Sequence, residues 1–246
     1  MKRERIDKLL VERGLVASRE RARALIMAGA VRIGDAVVDK PGTLVAADAN
    51  LAVSGADIPY VSRGGVKLGG ALDVLGIDVA DRCVLDAGAS TGGFTDCVLQ
   101  RGARAVIAVD VGYGQLAWSL RGDPRVTVRE RVNVRYLTAA DLPAVPDLAV
   151  VDVSFISLRL VLPAIAAVLA PGGDIVALVK PQFEVGRGEV GGGGVVRDPA
   201  QHAAVVLAVR ACAIGLGLRC LGECPSPILG PKGNREFFLW LRKSAA

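Results

Sequence analysis

The 246-residue sequence has little of what metal and redox sites need: one histidine, His202, and five cysteines, Cys83, Cys97, Cys212, Cys220 and Cys224, none in a C-x-x-C pair. A usual zinc site takes four nitrogen or sulfur ligands, so no metal centre is expected and the cysteines read as reduced thiols. Met1 runs straight into charged residues without an apolar signal stretch, and no uncharged run reaches about 18 residues. Secretion and membrane spanning are therefore not supported, no membrane partner is expected, and the expected compartment is the cytoplasm. Aromatic residues make up only 4 %, but 52 % of the chain is hydrophobic and 22 % charged, the balance of a folded protein with an ample core rather than of a disordered one.

The net charge of +5 lies entirely at the front of the chain. Residues 1–32 hold nine Lys or Arg (Lys2, Arg3, Arg5, Lys8, Arg13, Arg19, Arg21, Arg23, Arg32) against Glu4, Asp7, Glu12 and Glu20, so 9 − 4 = +5 and the remainder sums to zero. A basic front on a neutral body points to a polyanionic partner, which charge alone does not resolve into RNA, DNA or anionic lipid.

From Arg5 to about Gly29 the apolar residues recur at helical spacing, broken by Gly14 and restarted at Ser18, a plausible N-cap; two short helices are expected. Val31 to Val38 reads as two short strands about a Gly34-Asp35 turn, Leu51 to Val53 as a third, and the unit closes near Ile58. The stretch "SRERARALIMAGAVRIGDAVVDKPGTLV" resembles the RNA-binding domain named after ribosomal protein S four, over roughly sixty residues, with the departure that Gly34 precedes Asp35. The resemblance implies that Arg5, Arg19, Arg21, Arg23 and Arg32, with Arg63 at the join, contact RNA.

Expected boundaries are 1–59 for this unit, 60–66 for a proline- and glycine-bearing linker, and 67–246 for a second domain. There the pattern becomes strand, turn, helix, repeated: strands at 83–86, 105–110, 126–128, 148–152, 174–180, 218–223 and 236–241, helices at 92–101, 115–120, 158–169 and 199–216. Such alternation predicts an α/β, Rossmann-like domain with a mainly parallel seven-stranded sheet, preceded by the small α+β unit.

Ligands of such sheets bind beyond the carboxyl ends of the strands, where the order reverses. Asp86 runs into Ala87-Gly88-Ala89-Ser90-Thr91-Gly92-Gly93, whose glycines let backbone approach a ligand and open a helix with free N–H groups. Asp110, ending the next strand, suits the two hydroxyls of a ribose. The spacing is not G-x-G-x-x-G, and D-x-G-x-x-x-G-G fits a methyltransferase better than a nicotinamide site. Asp86, Gly88, Ser90, Gly92, Gly93, Phe94, Asp110 and Asn133 are the expected cofactor residues; Asn133 reads equally as a turn residue and Phe94 as core.

Lys67 before the first strand, Asp152 and Lys180 at strand ends, and Glu236 opening the last strand form a Lys-Asp-Lys-Glu set that resembles the tetrad of FtsJ-type RNA 2′-O-methyltransferases. With the front unit and "YVSRGGVKL" at the join, nearly the whole chain resembles the TlyA family, rRNA cytidine 2′-O-methyltransferases often labelled haemolysins. The resemblance implies S-adenosylmethionine as cofactor and rRNA in ribosomal subunits as partner. A chain stopping soon after the last strand leans towards the large subunit alone. A ribose hydroxyl must lose its proton as it attacks, so a positioned base is required. Lys180 is the expected base, with Lys67 close enough to disfavour its charged form, Asp152 orienting it, and Glu236 holding Lys67.

Other features have blander expectations. Trp118 reads as core, as do Phe155 and Ile156 unless they wall the target nucleotide; His202 reads as structural or exposed. Residues 186–194 read as a lid or a mobile loop. Two rival functions remain open: an NAD-dependent oxidoreductase on the same fold, and a membrane-active haemolysin or non-catalytic RNA-binding factor.

Overall fold

The computed structural model describes residues 3–16, 18–27, 29–34, 36–53, 59–186, 188, 190–191 and 193–245. Asp35 of the Gly-Asp turn, Ile58 at the expected close of the first unit, and Arg187, Glu189 and Gly192 of the glycine-rich stretch lie outside the described residues. The chain divides into two compact units, Met1–Gly65 and Val66–Ala246.

In the first unit, α1 (Ile6–Glu12) and α2 (Arg19–Met27) bring Ile6, Leu9 and Leu10 against Ala22, Leu25 and Ile26, the residues whose helical spacing is visible in the chain. Gly29, at φ +68°, ends α2: its N–H reaches Ile26 O and that of Ala30 reaches Leu25 O, a terminus only a left-handed residue completes. Strands β2 (Val31–Ile33), β3 (Ala36–Val38) and β5 (Leu51–Val53) form a small antiparallel sheet in the order β3-β2-β5. Two strands lie outside the expected set. Arg3–Arg5 is a strand, β1, because it pairs with β4 (Leu44–Ala46), a partner some forty residues away that local periodicity cannot reveal.

The second departure is α3 (Arg63–Leu75), which begins inside the stretch expected to be a linker and carries Lys67. Its glycines, Gly64, Gly65, Gly69 and Gly70, lower intrinsic helix propensity. Packing decides otherwise, since Leu68, Ala71 and Leu72 are buried and Gly70 lets Pro227 approach to where a side chain would stand, 2.8 Å away.

Among the described residues, the second unit is built on a seven-stranded sheet in the order β11-β12-β10-β9-β6-β7-β8. The strands are β6 (Cys83–Ala87), β7 (Ala105–Asp110), β8 (Val126–Glu130), β9 (Leu148–Val151), β10 (Asp174–Val179), β11 (Leu218–Pro225) and β12 (Phe237–Lys243). From β10 to β8 neighbouring strands are parallel, while β12 and β11 run antiparallel at one edge. β6, β9 and β10 are buried along their whole length, which is why they read as apolar runs, interrupted only by Asp86 in β6 and Asp174 at the head of β10. Helices α6 (Leu158–Val168) and α8 (Pro199–Gly215) pack Leu162, Ile165, Val205 and Val209 into one core with them. At the amino end of β10, buried Asp174 accepts from Trp240 Nε1 (3.0 Å), Arg242 Nε (2.7 Å) and Arg82 Nη2 (2.5 Å), pinning β12 in register.

Candidate active site

The chain leaves β6 for β7 and β8 on one side, then returns to lay β9 on the other, so the order reverses between β6 and β9. The carboxyl ends of those two strands meet closely: Asp152 N–H donates to Ala87 O (3.0 Å). Gly88, at φ +91°, faces Asp152 O at a distance where a Cβ would stand only 2.6 Å away, so any other residue is excluded by both backbone angle and space. Gly92 then caps α4 (Gly93–Gln100).

Asp110 ends β7 and accepts from the backbone N–H groups of Ser90 (2.8 Å) and Gly112 (2.6 Å). It thereby ties the glycine turn to the loop beyond β7, and each oxygen keeps a lone pair for a ribose hydroxyl. Asp86 does not end its strand, which continues to Ala87; its carboxyl is fully buried and accepts from Thr95 Oγ1 (2.6 Å). Burial pushes its pKa up to about 7 against the opposing Thr95 hydrogen bond, and the nearby carboxylates of Asp152 and Asp110 push the same way. Three acids thus converge where the strand order reverses.

A raised carboxyl pKa has a definite sign in stability. Between the ordinary value of 3.8 and about 7 the folded protein binds the proton that the unfolded chain has released, so stability falls as pH rises through that window and is level above it. Asp86→Asn should abolish most of that slope, matching the parent near pH 4 and exceeding it by about 2–4 kcal/mol at pH 8. Urea unfolding at the two pH values measures this, and an equal difference at both would show that Asp86 is not the titrating group.

Phe94 and Asn133 take the placements also open to them in the sequence, core and turn. Phe94 is buried against Phe238, ring centroids 6.2 Å apart, because the first turn of α4 turns it into the core. Asn133 is an exposed turn residue whose side chain accepts from Arg135 N–H (3.0 Å).

Lys180 follows β10 directly and Asp152 follows β9; these strands are parallel neighbours, so the two residues emerge side by side. Lys180 Nζ lies 2.5 Å from Asp152 Oδ1 and donates to Ser154 Oγ (2.8 Å), a partner that sequence reading missed. β10 also pairs with β12, ending at Val179–Phe237, so Lys180 and Glu236 extend one step further from adjacent strands. Glu236 precedes β12 rather than opening it, is buried, and accepts from Lys67 Nζ at 2.6 Å. The four members of the set therefore lie along the carboxyl end of β10 and its two neighbours, each amine with its own carboxylate. Gly230 packs so closely on Glu236 that a Cβ would stand 2.1 Å from Oε1, another contact invisible in the chain.

Around them the loops are tied down. Glu184 closes α7 (Pro181–Glu184) and accepts from Ser157 Oγ (2.5 Å) and Leu158 N–H (2.6 Å), capping α6; burial pushes its pKa up. Buried Asn234 accepts from Val196 N–H (3.1 Å) and donates to Gly194 O (3.0 Å), fixing the end of the glycine-rich stretch. Phe155 is not core: it is 90 % exposed at φ +63°, its ring 5.0 Å from that of Phe183, because the loop is held at Asp152 and Ser157 and turns the residue outward. Trp118, opening the one-turn α5 (Trp118–Arg121), is likewise 79 % exposed, against the expectation of core. His202 is buried, with Nε2 2.9 Å from Val196 O, a structural arrangement.

Of the expected RNA contacts, Arg5 and Arg19 both bind the buried carboxylate of Asp7, Arg21 donates to Tyr60 O (3.0 Å), Arg23 and Arg32 are exposed, and Arg63 is half-buried. The second unit, with 19 Lys or Arg against 17 Asp or Glu over 66–246, carries a slight positive excess and stacks some of it on tyrosine rings. Arg131 lies over Tyr113 (4.3 Å) and Arg135 over Tyr136 (5.5 Å), while the nearby acids Glu130 and Asp123 are already paired with Arg121 and Arg125.

The geometry suits S-adenosylmethionine: a glycine turn that only backbone can line, a carboxylate with free lone pairs for a ribose, and clustered acids favouring a cationic sulfonium. Among the described residues no group of three or more His, Cys, Asp or Glu is placed to hold a metal, and no helix is long and apolar enough to cross a membrane.

Comparison with known proteins agrees with this geometry. Residues 60–243 match the FtsJ-like methyltransferase family and residues 4–51 the S4 domain. The 16S/23S rRNA (cytidine-2′-O)-methyltransferase TlyA of Mycobacterium tuberculosis is 54 % identical over 242 residues, covering 98 % of this chain and 90 % of that one. Hemolysin A of Brachyspira hyodysenteriae is 38 % identical over 95 % of this chain and 97 % of its own length. A solved structure from Streptococcus thermophilus, provisionally described as a hemolysin, is 46 % identical, covers 99 % of this chain and 90 % of that one, and superposes with a TM-score of 0.78. The chain accordingly belongs to the TlyA family of FtsJ-like methyltransferases, with an S4 domain ahead of the catalytic domain.

Proposed function

We propose that this protein methylates the ribose 2′-hydroxyl of a cytidine in rRNA, with Lys180 as the general base. The observation that carries the reading is the Lys180 ammonium held between Asp152 and Ser154 at the strand ends, beside the Lys67–Glu236 pair. S-adenosylmethionine supplies the methyl group, as a cationic sulfonium that leaves as a neutral thioether. Lys180, in its neutral form, takes the 2′-proton as the new O–C bond forms and the S–C bond breaks, and Asp152 then balances the ammonium produced. Ser154 fixes the amine's direction. Lys67, held by Glu236, adds a positive charge at the same edge, steadying negative charge developing on the 2′-oxygen.

The exposed Phe155 ring, with half-buried Phe183 beside it, supports an extruded nucleotide, since stacking on aromatic faces is how a base removed from its stack is held. The S4 domain docks structured rRNA, and the proposed cofactor contacts are the backbone at Gly88, Ser90, Gly92 and Gly93 with the Asp110 carboxylate. Since the Mycobacterium tuberculosis relative is named for both 16S and 23S rRNA and matches 98 % of this chain, both subunits are proposed substrates rather than the large subunit alone. A ribosomal substrate supports a cytoplasmic location.

Mapping 2′-O-methyl marks on both rRNAs from cells with and without the protein tests this. Loss of cytidine marks is expected, and unchanged marks would overturn it. A haemolysin reading draws on relatives' names; erythrocyte lysis by the pure protein would favour it. The oxidoreductase reading predicts tighter binding of NAD than of S-adenosylmethionine.

A further inference from the structure

Among the described residues of the first unit, Asp7 is the one charged side chain that is buried, at 0 % exposure. A lone carboxylate in a small apolar core, beside Ile6, Leu9 and Leu10, is costly for stability, and an apolar residue of similar size would serve packing at least as well. Its contacts show what the charge does. Arg5 donates to it through Nε (3.0 Å to Oδ1) and Nη2 (2.9 Å to Oδ2), and Arg19 through Nη2 (3.2 Å to Oδ2). The first is a bidentate fork, the second a single bond from the start of α2.

Both arginine side chains remain about half exposed, at 49 % and 57 %. Arg5 keeps its Nη1 group outside the fork, lying over Gly42, where an added Cβ would stand 3.8 Å from it. Two segments therefore converge on one carboxylate, the start of α1 and the start of α2, and the turn before β4 is tied to the same residue through its backbone, Pro41 O accepting from Asp7 N–H (3.4 Å). Two guanidinium groups set side by side repel each other, and one shared anion at their inner edges holds them together with an excess positive charge facing out.

We propose that Asp7 is a positioning residue for RNA recognition, presenting the Arg5 and Arg19 guanidinium forks together to phosphates of the docked rRNA. The inference rests on the rRNA methyltransferase reading. Guanidinium is suited to bidentate phosphate contacts, and a side chain ordered before binding loses less freedom on binding. The Arg5 hydrogen bond, with that of Arg19, holds the Asp7 carboxyl below its ordinary range, so the clamp stays ionised at neutral pH.

Steady-state methylation of purified ribosomal subunits by the full-length enzyme tests the proposal with Asp7→Asn, the double variant Arg5→Ala/Arg19→Ala, and the triple combination. Asp7→Asn is expected to raise KM for the subunits about tenfold, with kcat much less affected. The arginine variant should raise KM at least as far, and adding Asp7→Asn to it should do nothing more, because Asp7 acts only through those side chains. Losses that multiply in the triple variant, or a loss confined to kcat, would overturn it. Should Asp7→Asn unfold the first unit, Arg5→Lys/Arg19→Lys keeps charge and carboxylate but removes the fork; wild-type KM in that variant also overturns the proposal. If the wild-type enzyme leaves ribosomal subunits unmethylated, the functional reading itself fails, an outcome distinct from equal KM values in active enzymes.

Discussion

Lys180→Ala should slow methyl transfer by roughly 10²–10⁴-fold, the usual contribution of a positioned base, while S-adenosylmethionine and ribosomal subunits still bind with near parental affinity. The side chain lost is not among the groups proposed to hold either ligand. Its amine ends 2.5 Å from Asp152 Oδ1 and 2.8 Å from Ser154 Oγ, at the junction of β9 and β10. Single-turnover transfer of labelled methyl, beside equilibrium binding of both substrates, separates chemistry from affinity. Lys180→Arg is the sharper variant. Guanidinium keeps the charge and the pairing with Asp152 but does not deprotonate in a protein, so it cannot accept the 2′-proton. Proton acceptance therefore predicts that the arginine enzyme is as slow as the alanine one. A largely active arginine enzyme would reduce Lys180 to a source of positive charge and leave the base to be found elsewhere.

Glu236→Ala should cost about 3–5 kcal/mol of stability as well as activity, because it strands the Lys67 ammonium in a buried site without its partner. The pair is close, 2.6 Å, with side-chain exposures of 9 % for Lys67 and 0 % for Glu236. Removing both charges should restore much of the loss: Lys67→Met/Glu236→Ala replaces an uncompensated cation by an apolar stem of similar length. Activity should stay low in the double variant, since the charge that Lys67 brings to the edge of β12 is gone. Urea midpoints and methyl-transfer rates on the same three proteins decide the matter. A double variant no more stable than Glu236→Ala would mean that the carboxylate matters chiefly for its own packing beneath Gly230.

Much of the catalytic unit was legible because parallel strands buried on both faces leave a distinct pattern. β6, β9 and β10 show as apolar runs, and the polar residues next to them, Asp152 and Lys180, reach the strand ends where ligands bind in such sheets. The helix bearing Lys67 was not legible, since four glycines argue locally against it and only contacts such as Gly70 with Pro227 explain their presence. Nor could the exposure of Phe155 and Trp118 be read from their apolar chemistry. Both lie in short segments whose ends are fixed by other parts of the fold.

The order of types along the chain determined a basic α+β unit ahead of a Rossmann-like domain, and supplied two lysines and two acids suited to proton transfer. The pairings that the resemblance implies become contacts only through tertiary structure: Lys67 meets Glu236 across 169 positions and Lys180 meets Asp152 across 28. Tertiary structure also brought in Ser154, Gly230 and Asp7, whose neighbours come from other segments. The physical reason is that burial and ion pairing depend on distance in space, and a sheet that interleaves its strands as β12-β10-β9-β6 makes neighbours of residues far apart along the chain.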